Sequence, residues 1–262
     1  MIDRARLEAI VREAGRIALS VWPGREGAGG PGLTVWEKGP NNPVSSADLA
    51  VDAFLKAELG ALLPAAGWLS EETVDDPQAR TGDLAWLVDP IDGTRDYIHG
   101  RDGWAVSVGL VRAGRPLIGV LHAAGRGEFW YGEAGRGATR NGVPLVASRR
   151  ADLPGARVPA RMLGPEDADL TMVDQPNSIA LRIAMVAAGE ADLLATLRWG
   201  YEWDIAAAAL IAREAGAAVS DAFGGHLGYN KPDPRAFGVL VTAPAIHEAA
   251  VARLAERAAR LA

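Results

Sequence analysis

The spacing of apolar residues predicts an amphipathic helix at the start of the chain. Between positions 1 and 22 apolar side chains recur every three or four residues, at Leu7, Ile10, Val11, Ala14, Ile17, Ala18 and Val21. This spacing puts them on one helical face and differs from the continuous apolar run of a signal peptide. A second amphipathic helix is predicted over 45–63, with Ser46 or a neighbour as its cap and Pro64 just past its end.

Short apolar runs bounded by turn residues predict strands in the first half, over 86–89, 104–112, 116–122 and 127–132. The second half mixes predicted helices with strand-like segments. The helices cover 178–189, 204–215 and 246–261, and the strands cover 192–197, 216–220 and 237–242. Helices and strands that interleave without a strict period indicate a layered α/β or α+β architecture rather than a barrel.

Turn-rich sequence between Asn141 and Gly164 separates the two halves. We therefore expect one compact unit in two parts, residues 1–145 and 146–262. A length of 262 residues allows a substantial core.

Composition narrows the function classes. The net charge of −6 argues against broad nucleic-acid binding, and the absence of cysteine excludes thiol catalysis, disulfides and thiolate metal sites. No segment approaches the length of a membrane span, so we expect no membrane association and a cytoplasmic protein.

One glycine-rich segment has the spacing of a dinucleotide-binding loop, G-x-G-x-x-G, at Gly27, Gly29 and Gly32. That fingerprint needs a strand before the glycines and a helix after them. Here a helix precedes the glycines and Pro31 interrupts them, so we interpret the segment as a mobile loop.

The stretch WLVDPIDGT (86–94) carries the most informative chemistry. Proline keeps Asp89 extended, so the chain must turn after the strand. Gly93 permits close backbone approach, and the N–H groups that follow it are suited to an anion such as phosphate. Asp89 and Asp92 beside an anion site favour a divalent cation between them, although a turn in which aspartates bond their own backbone is the alternative.

Two further segments end an apolar element in carboxylates. WLSEET (68–73) carries Glu71 and Glu72, for which a solvated loop is the alternative. Asp204 precedes an alanine-rich helix, and locally an N-cap explains it best. Taken together, the three acidic segments favour a shared metal site. The four histidines have no zinc spacing, and neither a G-x-S-x-G elbow nor a phosphate-binding G-x-x-x-x-G-K-[ST] loop is present. Oxygen-only ligands favour Mg²⁺ or Mn²⁺.

These segments resemble the inositol monophosphatase superfamily, which also contains fructose-1,6-bisphosphatases and 3′(2′),5′-bisphosphate nucleotidases. The matching motifs are SEE (70–72), DPIDGT (89–94) and WD (203–204), in the family's order and approximate spacing, and NPVSSAD (42–48) resembles its catalytic aspartate segment. The resemblance implies a layered α-β-α-β-α sandwich and a metal-dependent, lithium-sensitive phosphatase.

The resemblance also implies a role for individual residues. Two or three Mg²⁺ ions, with Mn²⁺ as a possible substitute, would be held by Glu71, Asp89, the Ile91 carbonyl, Asp92 and Asp204. The catalytic residues would be Asp48, Thr94, Glu71, Asp89 and Asp92, with Asp48 and Thr94 acting on the attacking water. Substrate would contact Asp92, Gly93, Thr94, Ser178 and Asp204. Lys38 falls in the family's mobile loop over the metals, and a solvated lysine is the alternative.

The resemblance implies that the substrate is a small phosphorylated molecule. Inositol-specific members carry a carboxylate just before the WD motif, whereas the nearest positions here are Thr196 and Leu197, and Glu202 would serve only after loop rearrangement. WLSEET and GRDGWAVSVGLV (101–112) are more similar to the bacterial nucleotidases, which implies cleavage of adenosine 3′,5′-bisphosphate to AMP. An inositol-1-phosphate or broad sugar-phosphate phosphatase is the alternative, and a regulatory binding protein is a second one.

A bisphosphate substrate needs a cation away from the metals and can use an aromatic ring for its base. The candidate cations are Arg95, Arg101, Arg198 and Lys231, and the candidate stacking residues are Trp199 and Tyr201. Each is also compatible with a plain surface or packing role. A homodimer is possible because members of the superfamily often dimerise.

Overall fold

The computed structural model describes residues 2–24, 32–40 and 42–262. Most of the glycine-rich segment around Gly27 and Gly29 lies outside these residues, so its interpretation as a loop stays a prediction. Among the described residues, no helix is both long and apolar enough to cross a membrane.

The described chain forms helices and strands in alternating groups. The helices are α1 (Arg4–Val21), α2 (Ser46–Leu62), α3 (Thr94–Ile98), α4 (Ile179–Ala187), α5 (Glu202–Glu214) and α6 (His247–Leu261). The strands of the first half are β1 (Val35–Gly39), β2 (Asn42–Ser45), β3 (Gly67–Ser70), β4 (Leu84–Asp92), β5 (Ala105–Arg112), β6 (Arg115–Ala123), β7 (Glu128–Glu133), β8 (Ala138–Arg140) and β9 (Val143–Pro144). Those of the second half are β10 (Arg157–Pro159), β11 (Thr171–Val173), β12 (Leu193–Tyr201), β13 (Ala218–Ser220) and β14 (Arg235–Thr242).

Two sheets organise the molecule. The larger sheet has the order β3-β4-β5-β6-β7-β8-β9, in which β3 and β4 are parallel and the other neighbours are antiparallel. The smaller sheet has the order β12-β14-β13 and is antiparallel. Two short pairs, β1-β2 and β10-β11, stand apart from both sheets.

The sheets and helices stack in five layers. Helices α1 and α2 bury Leu7, Val11 and Leu55 against one face of the larger sheet. Helices α4 and α5 fill the space between its other face and the smaller sheet. The outer face of the smaller sheet packs on α6 through Leu240 and Leu254. The layered α-β-α-β-α sandwich predicted from the sequence is therefore confirmed.

A row of glycines lets α5 approach the larger sheet closely. Gly109, Gly119 and Gly132 lie opposite one another on β5, β6 and β7. A Cβ atom at Gly119 would lie 2.3 Å from the backbone oxygen of Ala207 on α5, and one at Gly109 would lie 3.2 Å from the Ala206 side chain. Glycine on the strands and alanine on the helix thus set the short distance between α5 and the larger sheet. The first turn of α5 carries Asp204.

Most predicted elements match the structure to within a few residues, with two informative differences. Strand β4 does not end at Asp89 but continues through Asp92. Lys38, expected in a loop, lies on β1, which pairs with β2. The larger sheet ends at Pro144, close to the predicted boundary. The division into residues 1–145 and 146–262 itself stays a prediction.

Candidate functional site

The end of β4 is bent so that its two aspartates leave the regular ladder. The register between β4 and β5 shifts between Asp89 and Asp92, and Asp89 Oδ1 accepts a hydrogen bond from the Ile91 N–H at 3.0 Å. Gly93 follows with a φ of 95°. A Cβ atom at Gly93 would lie 2.6 Å from the Gly103 carbonyl oxygen, so only glycine allows this turn into α3.

Asp92 is held at the start of α4. Its carboxylate accepts hydrogen bonds from the Ser178 hydroxyl, from the Ile179 N–H at 3.2 Å and from the Ala180 N–H at 2.7 Å. The Ser178 hydroxyl in turn accepts from the Leu181 N–H and caps the helix. Because the N-terminal end of a helix attracts negative charge, α4 stabilises this carboxylate and fixes its position.

Asp48 lies on the first turn of α2, behind Thr94. Its Oδ2 accepts from the backbone N–H of Ser45 at 2.8 Å and from the Ser45 hydroxyl at 2.6 Å, which forms a capping box. Its Oδ1 lies 3.3 Å from the Thr94 hydroxyl, which also lies 3.1 Å from the Ile91 carbonyl oxygen. Ser45, rather than Ser46, is the cap of this helix.

Asp204 occupies the third position of α5, not the N-cap that local sequence suggests. The helix begins at Glu202, and Asp204 Oδ2 accepts from the Tyr201 N–H at 3.0 Å. One carboxylate oxygen thus completes the helix start. Asp204 also lines the same cavity as Asp89 and Asp92.

Glu71 follows β3 and pairs with a lysine from the β1-β2 hairpin. Lys38 Nζ lies 3.0 Å from Glu71 Oε1 and 2.7 Å from Glu72 Oε1. Burial lowers the Lys38 pKa, but the Glu71 and Glu72 carboxylates raise it by more, so the amine stays charged. Lys38 is therefore an exposed residue of β1 whose amine pairs with two carboxylates of the acidic segment.

The acidic segment after β3 is anchored to α2. Asp52 accepts hydrogen bonds from the hydroxyls of Ser70 and Thr73, the latter at 2.7 Å. These two residues flank Glu71 and Glu72, so a single buried carboxylate holds both ends of the segment. Asp52 itself lies one helical turn after Asp48 on the same helix.

The end of β4 and the starts of α3, α4 and α5 border one cavity of about 240 Å³. It combines acidic and basic side chains with the backbone of the β4–α3 turn. Its lining comprises Asn42, Pro43, Glu71, Asp89, Ile91, Asp92, Gly93, Thr94, Arg95, Asn177, Ile179, Arg182, Arg198 and Asp204. Every metal ligand predicted from the sequence is among these residues. Asp48 and Ser178 lie behind the lining, so direct contact of Ser178 with a substrate stays a prediction.

The carboxylates of this cavity repel one another. Burial, followed by the charges of Glu71, Asp92 and Asp204, raises the pKa of Asp89 well above its usual value. Burial and the Asp92 charge raise the pKa of Asp204 to about 8. Burial raises the pKa of Asp92 to about 6 despite its hydrogen bonds to Ser178 and α4, and burial does the same for Asp48. Burial is the first cause of each shift, and for Asp89 and Asp204 the charges of neighbouring carboxylates add to it.

Among the described residues, no three histidine, cysteine, aspartate or glutamate side chains are grouped so as to hold a metal ion. The cavity carboxylates are instead turned towards partners in the protein: Lys38 for Glu71, the start of α4 for Asp92 and the Tyr201 N–H for Asp204. Their repulsion and their oxygen-only chemistry nevertheless fit a hard divalent cation. The residues therefore suit Mg²⁺ after local rearrangement of side chains.

Several predicted substrate contacts lie elsewhere. Arg101 pairs with Asp96 at 2.6 Å and lines a different cavity. Lys231 pairs with Glu202 at 3.0 Å. Glu202 is fully buried in that pair, so it does not replace the carboxylate that inositol-specific members carry. Of the candidate cations, Arg95 and Arg198 line the cavity.

The two candidate stacking rings also differ in position. Trp199 packs edge-on against Phe237 at 5.5 Å and lines neither the main cavity nor the small one beside it. Tyr201 stacks on Trp203 at 4.3 Å and lines the small cavity, which shares Arg198 with the main one. The structure therefore gives no support for Trp199 as a base-stacking residue.

The sequence interpretation missed the cavity residues Asn177, Ile179 and Arg182, of which Arg182 is the charged one. It lies on α4 and donates to the backbone carbonyls of Asn177 and Ser178, at 3.2 and 3.3 Å. Burial lowers its pKa, and the Asp92 charge opposes that effect. The sequence does carry a signal for Arg182, because it is the one charged residue in the otherwise apolar helix IALRIAMVA.

The inositol monophosphatase family model matches residues 3–260. The chain belongs to the inositol monophosphatase family. It is 36% identical over 212 residues to an inositol-1-monophosphatase of Mesorhizobium japonicum, covering 74% of this chain and 77% of that protein. It is 31% identical over 213 residues to the 3′(2′),5′-bisphosphate nucleotidase CysQ of Aggregatibacter actinomycetemcomitans, covering 76% and 79%. A solved Thermotoga maritima IMPase has the same fold, with a TM-score of 0.81, 26% identity and 98% of both chains covered.

Membership of this family confirms the class of reaction predicted from the motifs. Members are Mg²⁺-dependent phosphatases that act on small phosphorylated substrates, and this chain is a phosphatase. The similar proteins include both inositol phosphatases and a nucleotidase, so the family alone leaves the substrate open.

Proposed function

We propose that the protein is an Mg²⁺-dependent 3′(2′),5′-bisphosphate nucleotidase that removes one phosphate from adenosine 3′,5′-bisphosphate. The supporting observation is a single cavity that combines four carboxylates with Arg95, Arg182 and Arg198. Carboxylates suit metal ions at the reacting phosphate, and arginines suit a second phosphate that is not cleaved.

In this proposal the metal ions are held by Glu71, Asp89, Asp92, Asp204 and the carbonyl of Ile91. Bound Mg²⁺ supplies the positive charge that stabilises phosphoryl transfer to water. Asp92 and Asp204 each accept a hydrogen bond from a backbone N–H at the start of a helix. These hydrogen bonds fix the two carboxylates before a metal ion binds. Glu71 must exchange its contact with Lys38 for the ions.

Asp48 and Thr94 act on the attacking water. The Thr94 hydroxyl lies between Asp48 Oδ1 and the Ile91 carbonyl oxygen, at 3.3 and 3.1 Å. Asp48 draws the hydroxyl proton, which leaves the threonine oxygen free to accept a proton from water. The N–H groups of Gly93 and Thr94, at the start of α3, bind the phosphate oxygens.

The second phosphate binds to Arg182 and Arg198. In the described part of the chain neither forms an ion pair with a carboxylate, and Arg182 is held by backbone carbonyls alone. Leu197, near the position where inositol-specific members carry a carboxylate, is apolar. This combination favours a second anionic group over the hydroxyls of a sugar ring.

The test compares phosphate release from adenosine 3′,5′-bisphosphate and inositol 1-phosphate at the same Mg²⁺ concentration. We expect kcat/KM to be at least about tenfold higher for the bisphosphate, because a charge-assisted contact contributes about 1.5–3 kcal/mol. Arg182→Gln should raise KM for the bisphosphate and leave KM for inositol 1-phosphate nearly unchanged. Lithium should inhibit both reactions.

The second candidate is an inositol-1-phosphate phosphatase, which is supported by the 36% identity to the Mesorhizobium protein. A higher kcat/KM for inositol 1-phosphate, with no response of either substrate to Arg182→Gln, would establish this candidate instead. Release of no phosphate from either compound would contradict both.

A further inference from the structure

A partly buried hydrogen-bond chain connects the segment that carries Glu71 to the helix that carries Asp204. Its centre is a reciprocal pair between Arg80 and Asn230, which are 150 residues apart in sequence. Arg80 Nη1 donates to Asn230 Oδ1 at 2.9 Å, and Asn230 Nδ2 donates back to the Arg80 carbonyl oxygen at 3.3 Å. Arg80 is only 3% exposed.

On one side, Arg80 is fixed to the Glu71 segment. Its guanidinium makes two hydrogen bonds to Asp75, at 2.6 and 2.8 Å, four residues after Glu71. Its backbone also packs on β3, because a Cβ atom at Gly67 would lie 2.6 Å from Arg80 Cβ and 2.9 Å from its Cα. Strand β3 leads directly into Glu71, so Arg80 moves with that ligand.

On the other side, the loop around Asn230 is fixed to the start of α5. Glu202, the first residue of α5, accepts hydrogen bonds from the N–H of Asn230 and from the N–H of Lys231 at 3.2 Å. The N–H of Glu202 donates to the Pro234 carbonyl oxygen at 3.0 Å. Glu202 is fully buried and lies two residues before Asp204.

We infer that Arg80, Asn230 and Glu202 are positioning residues that set the separation between Glu71 and Asp204, and thereby the affinity for metal. These two carboxylates lie in different halves of the chain and line the same cavity, where like charges repel each other. Without an ion, the repulsion drives them apart, so a rigid connection must hold their segments together. The connection supplies that constraint without touching substrate or metal.

The inference rests on the proposed metal site but not on the choice of substrate. It assigns a role to Glu202 other than the sugar contact considered from sequence. It also explains the backbone of Asn230, which has a φ of 56°. Asparagine tolerates this conformation, and its amide supplies both bonds to Arg80.

The sharpest variant is Asn230→Gly, because glycine accepts the positive φ while both side-chain bonds to Arg80 are lost. We expect Mg²⁺ to bind about tenfold more weakly, as measured by titration of tryptophan fluorescence in the metal-free protein. At saturating Mg²⁺, KM for the substrate should stay unchanged. Arg80→Lys should act in the same direction, since one ammonium group cannot reproduce the planar contacts to both Asp75 and Asn230.

The control is a variant that loses comparable stability far from this connection. Asp192→Asn weakens an ion pair with Arg157, at 2.7 Å, in the second half. It should lower the unfolding temperature without changing Mg²⁺ affinity. The positioning role is wrong if Asn230→Gly keeps the wild-type Mg²⁺ affinity. It is also wrong if Asp192→Asn lowers the Mg²⁺ affinity as much as Asn230→Gly does. If the wild type itself binds no Mg²⁺, the proposed metal site fails first.

Discussion

At the scale of single residues, three aspartates of the site accept hydrogen bonds at helix starts, and two of them, Asp92 and Asp204, also line the cavity. Asp48 accepts from the Ser45 N–H at the start of α2, and Asp204 accepts from the Tyr201 N–H at the start of α5. Asp92 accepts from the Ala180 N–H at the start of α4. Local sequence therefore cannot separate a capping aspartate from a ligand, because an aspartate that accepts from a backbone N–H at a helix start can also line the cavity.

Asp204→Asn separates the two roles. An asparagine Oδ1 still accepts from the Tyr201 N–H, so the start of α5 is retained. Removal of the charge relieves its repulsion with Asp92, which contributes to raising the Asp204 pKa to about 8. We expect the variant to be at least as stable as the wild type at pH 8 in EDTA, with turnover reduced by about a hundredfold or more. Thermal unfolding and phosphate release measure the two effects.

If Asp204 is a metal ligand, phosphate release by Asp204→Asn must fall while its thermal stability is retained. Asp233→Asn is the matched control, because Asp233 lies on the exposed loop before β14 and pairs with Arg235, the first residue of that strand. It should change neither turnover nor stability by much. Wild-type turnover in Asp204→Asn would mean that the carboxylate only caps the helix.

At the scale of elements, the sequence predicts what depends on local periodicity. Helices α1, α2 and α6 and strands β5 to β7 follow from apolar spacing, since each buries one face or both. The β1-β2 hairpin was missed because its first strand is mostly exposed and has no apolar alternation. The Arg80–Asn230 pair was missed because its two residues lie 150 positions apart and only tertiary packing brings them together.

The contact between α1 and β6 makes stability depend on pH. The His122 ring lies against Gly15, where a Cβ atom would be 2.1 Å from Nδ1, and Nδ1 faces the Val11 carbonyl oxygen at 3.2 Å. Burial lowers the His122 pKa below its usual 6.5. The unfolded chain then binds the proton more readily, so the stability present above pH 6.5 is lost as the pH falls towards the lowered value.

We expect the wild type to lose more stability between pH 7 and pH 5 than His122→Gln, whose amide can still donate to the Val11 carbonyl. Urea unfolding of both proteins in EDTA at pH 5, 6 and 7 measures the difference. The comparison cancels the carboxylates of the cavity, which titrate equally in the two proteins. Parallel pH profiles would contradict a buried neutral histidine.

At the scale of the whole molecule, the fold brings together carboxylates whose mutual repulsion lowers its stability. Both halves of the chain contribute carboxylates to the cavity, Glu71 and Asp89 from the first and Asp204 from the second. Apolar burial on both faces of the larger sheet and the close packing of α5 hold these groups together. The metal-free protein therefore keeps its site at a cost in stability, and a divalent cation removes part of that cost.

Mg²⁺ should consequently stabilise the entire fold. A ligand that binds the folded state alone, at about a hundred times its dissociation constant, adds about 2.7 kcal/mol. For a protein of this size that corresponds to a rise of about 5–10 °C in the unfolding temperature, measured by calorimetry in Mg²⁺ and in EDTA. Asp204→Asn should remove most of the rise, whereas Asp233→Asn should keep it. Equal unfolding temperatures of the wild type in Mg²⁺ and EDTA would show that the carboxylates do not share an ion.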